Sequence, residues 1–299
     1  MTNGPVPIVC IGGATVDRTY LCTHPPAPGT SNPVTSQRSF GGVARNVAQS
    51  LGRLGANVRL ISAAGEDEAG RALSSTLIAC RVDTQGLLTS ATKPTAEYTA
   101  AFWQGELFAG FADMDIFELL TPDAVAARLP RDIVSWRVFA DCNLPAGTLR
   151  MLANRKDLRL AVDCVSLAKS ERLPADLTAI DLLFLNADQA NHLGGIDRVL
   201  TRGCRVAILT QGKDGVTVFD ATGRTHLPAP RVRVQNVSGA GDALIAGTLL
   251  GLSEDRPLRE AVHYGLAAAA LALQTAASVP ADLTRAKLND ALTGLLHVR

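Results

Sequence analysis

Four short apolar runs, each closed by a polar residue, constrain this chain more than any other feature. Arg137-Val138-Phe139-Ala140 runs into Asp141, and Arg159-Leu160-Ala161-Val162 into Asp163. Leu182-Leu183-Phe184-Leu185 runs into Asn186, and Val206-Ala207-Ile208-Leu209 into Thr210. Runs that are short and apolar throughout are strands buried on both faces, as in parallel sheets covered by helices. Ile8 to Gly12, within Pro7–Gly13, and Val58 to Ser62 fit the same description. Helical spacing separates them: Val47, Leu51 and Leu54 share one stripe of a helix over Asn46–Leu54, and a second helix spans Ala69–Ala79. Strand–helix alternation of this kind predicts an open α/β sheet, whose ligands bind outside the carboxyl ends of the strands. Any one of the four terminal polar residues is explained by helix capping alone. Taken as a set, they point to a shared ligand cleft.

Two segments fall out of this rhythm. Proline and threonine crowd the region between Thr23 and Thr35, which reads as loop or edge strand. From Pro94 to Phe111 the pattern alternates (Tyr98, Ala100, Phe102, then Gly105 and Leu107), as a hairpin does. Residues from about 15–37 and 94–111 therefore form a small β-layer over the strand ends, a lid that would keep water from the reacting groups. With no internal repeat and no low-complexity linker, residues 1–299 read as a single α/β domain carrying that lid.

Composition excludes several classes of function. Lys+Arg 29 against Asp+Glu 28 leaves a net charge of +1, which offers no bulk attraction for polymeric nucleic acid or a membrane surface. Aromatic residues at 4% also argue against base-stacking platforms. The six cysteines (10, 22, 80, 142, 164 and 204) are scattered without a C-x-x-C pair, which predicts buried reduced thiols rather than a zinc site or disulfides. The first residues lack the basic and apolar regions of a signal peptide, and no apolar run is long enough to span a bilayer. A cytoplasmic location is expected.

Two glycine motifs carry the chemistry. In Asn236-Val237-Ser238-Gly239-Ala240-Gly241-Asp242-Ala243, a tight turn feeds the start of an apolar helix. Unpaired N–H groups at such a start attract anions. A carboxylate there would repel a phosphate, yet it is well placed to take a proton from a hydroxyl attacking a phosphoryl group. The plainer reading is a helix start with Ser238 as cap and Asp242 on the dipole. In Phe40-Gly41-Gly42-Val43-Ala44-Arg45-Asn46, paired glycines precede a helix, and Asn46 offers a donor and an acceptor to vicinal hydroxyls. Asp17, just past the first strand, can accept from the same hydroxyls.

These residues resemble two signatures of the ribokinase-like (PfkB) carbohydrate and nucleoside kinases. Gly41-Gly42-x-x-x-Asn46, continuing through Leu54-Gly55 to Gly65-Glu66-Asp67-Glu68-Ala69-Gly70, is similar to the first. Gly239-Ala240-Gly241-Asp242-Ala243 with Ala246-Gly247 is similar to the second. The resemblance covers essentially the whole chain. It implies a ribokinase-like three-layer α/β/α fold with a central, mostly parallel sheet and a small β-sheet lid through which two copies pair as a homodimer. Within the family, Ser31-Asn32-Pro33, the run Gly42 to Gln49, Asp113-Met114-Asp115-Ile116, Ala140-Asp141-Cys142-Asn143 and Val162-Asp163-x-Val165-Ser166 resemble the pseudouridine-kinase branch. That branch implies ATP-dependent phosphorylation of pseudouridine at its ribose 5′-hydroxyl.

Carried over by position, the resemblance makes Asp242 the base and Gly239, Ala240 and Gly241 the anion hole. It places Asp17, Gly41, Gly42, Asn46, Asn143 and Lys169 on the acceptor side. Asn186, Thr210, Gly212 and Gly215 fall on the nucleotide side, with Mg²⁺ accompanying ATP. For Lys169 a phosphate, a uracil carbonyl and a solvated position beside Glu171 all remain open. Two departures stand out. The usual Asn-x-x-Glu reads Asn186-Ala187-Asp188-Gln189, so any hold of Gln189 on the metal is weak and runs through water. Asn236 stands where potassium-activated members have aspartate, which weakens the case for K⁺ without removing a site built from carbonyls. Rival readings are a kinase for ribose, adenosine or another sugar or nucleoside, and a non-catalytic binder on the same fold. A Rossmann oxidoreductase is disfavoured because Gly239-x-Gly241 lies late in the chain.

Overall fold

The computed structural model describes residues 4–297. In chain order its elements begin β1 (Ile8–Ile11), β2 (Thr15–Cys22), β3 (Val34–Gly41), α1 (Val43–Arg53), β4 (Val58–Gly65), α2 (Glu68–Ala79), β5 (Val82–Ser90), β6 (Glu97–Trp103), β7 (Glu106–Asp113) and α3 (Pro122–Ala126). They continue β8 (Arg137–Asp141), α4 (Ala146–Ala153), β9 (Arg159–Asp163), α5 (Leu167–Ser170), β10 (Ile180–Asn186), α6 (Ala187–His192), α7 (Ile196–Thr201) and β11 (Val206–Thr210). The chain closes with β12 (Val216–Asp220), β13 (Gly223–Leu227), α8 (Ala240–Ser253), α9 (Leu258–Leu273) and α10 (Arg285–His297).

Nine strands form the central sheet in the order β13-β12-β11-β10-β9-β8-β1-β4-β5. It is parallel from β11 through β5, and β12 and β13 add an antiparallel edge. That edge hairpin breaks the strand–helix rhythm without leaving a distinct trace in the apolar pattern. Side chains alternate along each strand, so β1 feeds two cores at once. Ile8 and Cys10 join α1, α2, α8, α9 and α10 on one face, while Val9 and Ile11 join α3, α4, α6 and α7 on the other. Both faces are covered, as wholly apolar parallel strands require.

The segments out of rhythm form a second sheet, ordered β3-β2-β6-β7. β6 and β7 make the expected hairpin, turning at Gln104-Gly105, and β2 joins β6 in parallel. The strands outrun the expected limits: β3 continues to Gly41 and β7 to Asp113, while 23–33 is loop. Leu107, Phe108 and Phe111 on the outer strand β7 are exposed. Of the cysteines, all free, five are buried as expected and Cys22 at the end of β2 is partly exposed. No helix of the described residues is long and apolar enough to cross a membrane.

Candidate active site

Parallel register sets the four strand-end polar residues side by side in two pairs, with Asn186 two residues beyond the partner of Asp163. Asp141 pairs with Asp163 across β8 and β9, and Asn186 with Thr210 across β10 and β11. Capping explains only part of the set. Asn186 caps α6 in a reciprocal box: its Oδ1 accepts from the Gln189 N–H at 2.8 Å, and Gln189 Oε1 accepts from the Asn186 N–H at 2.8 Å. Asp141 instead reaches across the fold. Its fully buried carboxylate accepts from Gly13 N (3.0 Å), Ala44 N (2.8 Å) and Asn143 N (2.9 Å). Helix α1 begins after Gly42, which has no side chain to cap it, so Asp141 supplies that cap from another strand. Burial pushes Asp141 above the ordinary carboxylate range against the pull of those N–H donors.

The two glycine motifs meet. Asn46 on α1 donates from Nδ2 to Asp242 Oδ2 on α8 at 2.7 Å, across 196 residues of sequence. Gly41 lies against Asp17, where a Cβ would overlap the Asp17 carboxylate, and Thr15 Oγ1 donates to Asp17 at 2.9 Å. Asn143 and Lys169 also come together, the Lys169 amine donating to Asn143 Oδ1. The solvated reading of Lys169 is thereby set aside: the side chain is half-buried, burial lowers its pKa, and Glu171 pairs with His192 instead.

Helix α8 starts at Gly239 in the left-handed region (φ 79°) with no side-chain cap, so Ser238 is not the cap its position suggested. Its hydroxyl faces that of Ser278 at 3.3 Å. A Cβ on Gly239 would strike the Ser278 carbonyl, so both φ and space require glycine there. Asn236 braces the turn by accepting from Ser238 N (3.0 Å) and donating to the Ala276 carbonyl (2.8 Å). Ala240, Gly241 and Asp242 are the first residues of α8, whose N–H groups have no carbonyl one turn back within the helix.

Asp242 is held up to about 6, first by burial, with Asp141 and Asp17 adding repulsion and the Asn46 amide and Arg45 opposing. Asp163, accepting from Val165 N at 2.8 Å, is raised to about 8 by burial and by the Asp242 charge. Val165 itself sits at φ 61°, an uncommon conformation for a β-branched residue.

Two clefts flank the start of α8. The smaller, ≈ 180 Å³, is lined by Asp163, Val165, Asn186, Gln189, Thr210, Gly241 and Asp242 among others. The larger, ≈ 570 Å³, is bordered by Thr210, Gly212, Gly215, Ala240 and Gly241, with apolar walls that include Val234, Leu266, Ala269 and Leu273. Thr210 and Gly241 belong to both, so the clefts adjoin at the turn. Sequence reading placed the polar residues at this junction but missed the apolar wall from α9, whose residues look like ordinary helix core. It also left Arg45 unassigned and gave Asp141 no role beyond a strand end and a residue of the branch pattern. The signal was present for both, since each is a charged residue inside an otherwise apolar or small-residue stretch.

Gln189 is buried, and its amide oxygen is already engaged by Asn186. Among the described residues no group of three or more His, Cys, Asp or Glu forms a metal-binding set. The smaller cleft presents oxygen atoms of Asp163, Asn186 and Thr210, the kind of donor that would suit a hydrated Mg²⁺ borne by phosphates.

The pfkB family carbohydrate kinase model matches residues 7–283, and the chain belongs to that family. It is 29% identical to the pseudouridine kinase of Escherichia coli (strain K12), over 94% of this chain and 95% of that protein. A carbohydrate kinase from Agrobacterium tumefaciens is 33% identical, with a TM-score of 0.84 over 96% of each chain. The Arabidopsis thaliana ribokinase complexed with ribose and ATP shares the fold, with a TM-score of 0.82 at 18% identity, covering 97% of this chain and 99% of that one. The architecture is ribokinase-like.

Proposed function

We propose that this protein transfers the terminal phosphoryl group of ATP to the ribose 5′-hydroxyl of pseudouridine. The observation that carries the phosphotransfer is the placement of Asp242: a carboxylate raised to about 6, in contact with Asn46, in the smaller cleft and next to Gly241, where the two clefts adjoin. A base poised near the working pH is the most effective kind. Full-length similarity to a pseudouridine kinase supports the choice of acceptor.

In this reading the larger cleft takes the nucleotide, its purine against Leu266, Ala269 and Leu273, with Thr210, Gly212 and Gly215 along its edge. Asn186 borders the path of the phosphates. Gly239, Ala240 and Gly241 present N–H groups to the group in transfer, where negative charge spreads over its oxygens. Asp17, Gly41, Gly42 and Asn46 hold the ribose hydroxyls, and Asn143 with Lys169 faces the rest of the acceptor. Asp242 accepts the proton of the attacking hydroxyl. Asp163, with Gln189 reaching only weakly through water, would face the Mg²⁺ that accompanies ATP, which would supply charge compensation to the phosphates. Residues 1–299 act as one kinase unit, the second sheet closes over the acceptor, and its exposed β7 face is where two copies pair.

ATP consumption measured side by side with pseudouridine, uridine, adenosine, ribose and fructose tests the assignment. Pseudouridine should give the highest kcat/KM. Equal or better turnover of adenosine or ribose would overturn the choice of acceptor, and no turnover of any would favour a non-catalytic binder.

A further inference from the structure

Arg45 is buried at 4% exposure between the acceptor-side residues and Asp242, yet neither cleft is lined by it. Burying a guanidinium costs several kcal/mol unless its surroundings compensate. Compensation is visible here. Nη1 donates to the Phe40 carbonyl at 2.8 Å and to Asn46 Oδ1, Nη2 donates to Gln49 Oε1 at 2.5 Å, and the guanidinium lies 5.7 Å from the Phe40 ring centre. Nε is buried without a partner. An apolar side chain at this position would avoid all of these demands, so packing alone does not account for an arginine.

We propose that Arg45 is a positioning residue for the base: it fixes the orientation of the Asn46 amide and holds a positive charge beside Asp242, and together these keep Asp242 ionised. The proposal rests on the reading of Asp242 as the catalytic base. An asparagine amide presents oxygen and nitrogen in nearly the same shape, so its neighbours decide which way it faces. Arg45 has donors only and therefore claims Oδ1. Nδ2 is then left to face Asp242, and a donor on a carboxylate favours the charged form.

Without Arg45 the amide is free to turn its oxygen toward the carboxyl, which favours the protonated form. The other charges facing Asp242 all push that way: Asp17 from β2, Asp141 from the end of β8 and Asp163 from the end of β9. From α1, Arg45 attracts both Asp17 and Asp242. Burial lowers the Arg45 pKa to about 10, which still leaves it charged at neutral pH.

The test titrates Asp242 directly, by carboxyl carbon NMR of the full chain without substrates, the resonance being assigned by its loss in Asp242→Asn. Arg45→Met removes charge and donor, Arg45→Gln keeps a donor without charge, and Arg45→Lys keeps the charge. Thermal melts identify the folded variants. The Asp242 midpoint should rise by about one pH unit or more in Arg45→Met, stay near wild type in Arg45→Lys and fall between in Arg45→Gln. The acid limb of kcat/KM should move with it, with the KM for ATP unchanged. An unmoved midpoint in folded Arg45→Met would overturn the proposal; if that variant does not fold, an unmoved midpoint in Arg45→Gln would do the same. A midpoint that moves while the rate profile stays fixed would uphold the hold of Arg45 on Asp242 and sink the reading of Asp242 as the base.

Discussion

Replacing Asp242 with Asn should make the enzyme slower and more stable, by amounts that follow from one carboxyl group. The side chain is held at about 6 against an ordinary 3.8, mainly by burial. Two units correspond to roughly 2–3 kcal/mol favouring the protonated form in the folded state. A folded pKa above the unfolded one means that this increment is fully present below pH 3.8 and is lost as pH rises through about 6. At pH 8 the ionised wild type has lost it, while an asparagine never carries the charge. The variant keeps its partner, since Asn46 Nδ2 can donate to an amide oxygen as it does to Oδ2. Roughly half of the increment is already lost at pH 5, so scanning calorimetry should show about half the Tm difference there that it shows at pH 8. At pH 8 the variant should melt roughly 5 °C higher. Removing the charge also lets Asp163 ionise more easily, which extends the gain toward pH 8. Turnover should fall roughly 10²–10⁴-fold with substrate affinity little changed, because only the proton acceptor is lost. A Tm difference that is the same at both pH values would refute the account of the raised carboxyl. Unchanged turnover would remove Asp242 from the chemistry.

Asp141→Asn replaces an acceptor-only group that serves three N–H donors with an amide whose NH₂ opposes one of them, so denaturant titration should show a loss of about 2–4 kcal/mol. The same variant should raise the KM for the acceptor, because Asp141 ties down the start of α1 that carries Asn46. Gly239→Ala sets a Cβ against the Ser278 carbonyl at a positive φ, and should lower both kcat and Tm. If its kinetics match wild type, the turn is more pliable than its geometry implies. Ala269→Leu narrows the larger cleft from the α9 wall and should raise the KM for ATP roughly tenfold, or about 1.4 kcal/mol, while the KM for the acceptor is unchanged. An equal rise in both constants would mean that the cleft is not specific to the nucleotide.

The central sheet was legible because burial on both faces leaves a simple trace: Val206 to Leu209 has no polar interruption, and Thr210 marks where the strand meets the cleft. The second sheet was legible as an interruption of that rhythm, but its bounds were not. β3 is almost wholly exposed from Val34 to Ser39, so no burial pattern marked where it begins. β12 and β13 escaped for a different reason. Val216 to Phe219 reads like one more parallel strand, and only the pairing geometry shows it running back along β11. Motif residues were found where chemistry demands an unusual side chain, as at Asp242. The apolar wall of Leu266, Ala269 and Leu273 was not, because an apolar residue lining a cleft has the same sequence signature as one filling a core.

Arg45 and Asn46 arrive on the first helix, and Asp242 on the eighth; the hydrogen bond from Asn46 to Asp242 spans 196 residues of sequence. None of the local elements needs this contact. Helix α1 is held by Asp141 at its start and by its apolar face, and α8 is buried along almost its entire length. Asp242 therefore acquires its raised pKa only when both cores have assembled, because burial is the main cause of the shift and four other elements (β2, β8, β9 and α1) supply its charged neighbours. A chain with α8 undocked returns Asp242 to an ordinary carboxylate and loses the geometry of the Gly239 turn at the same time. Competence for proton transfer and completion of the fold are then one event, so damage to the packing of α8 on α9 far from the clefts should abolish turnover before it abolishes the sheet.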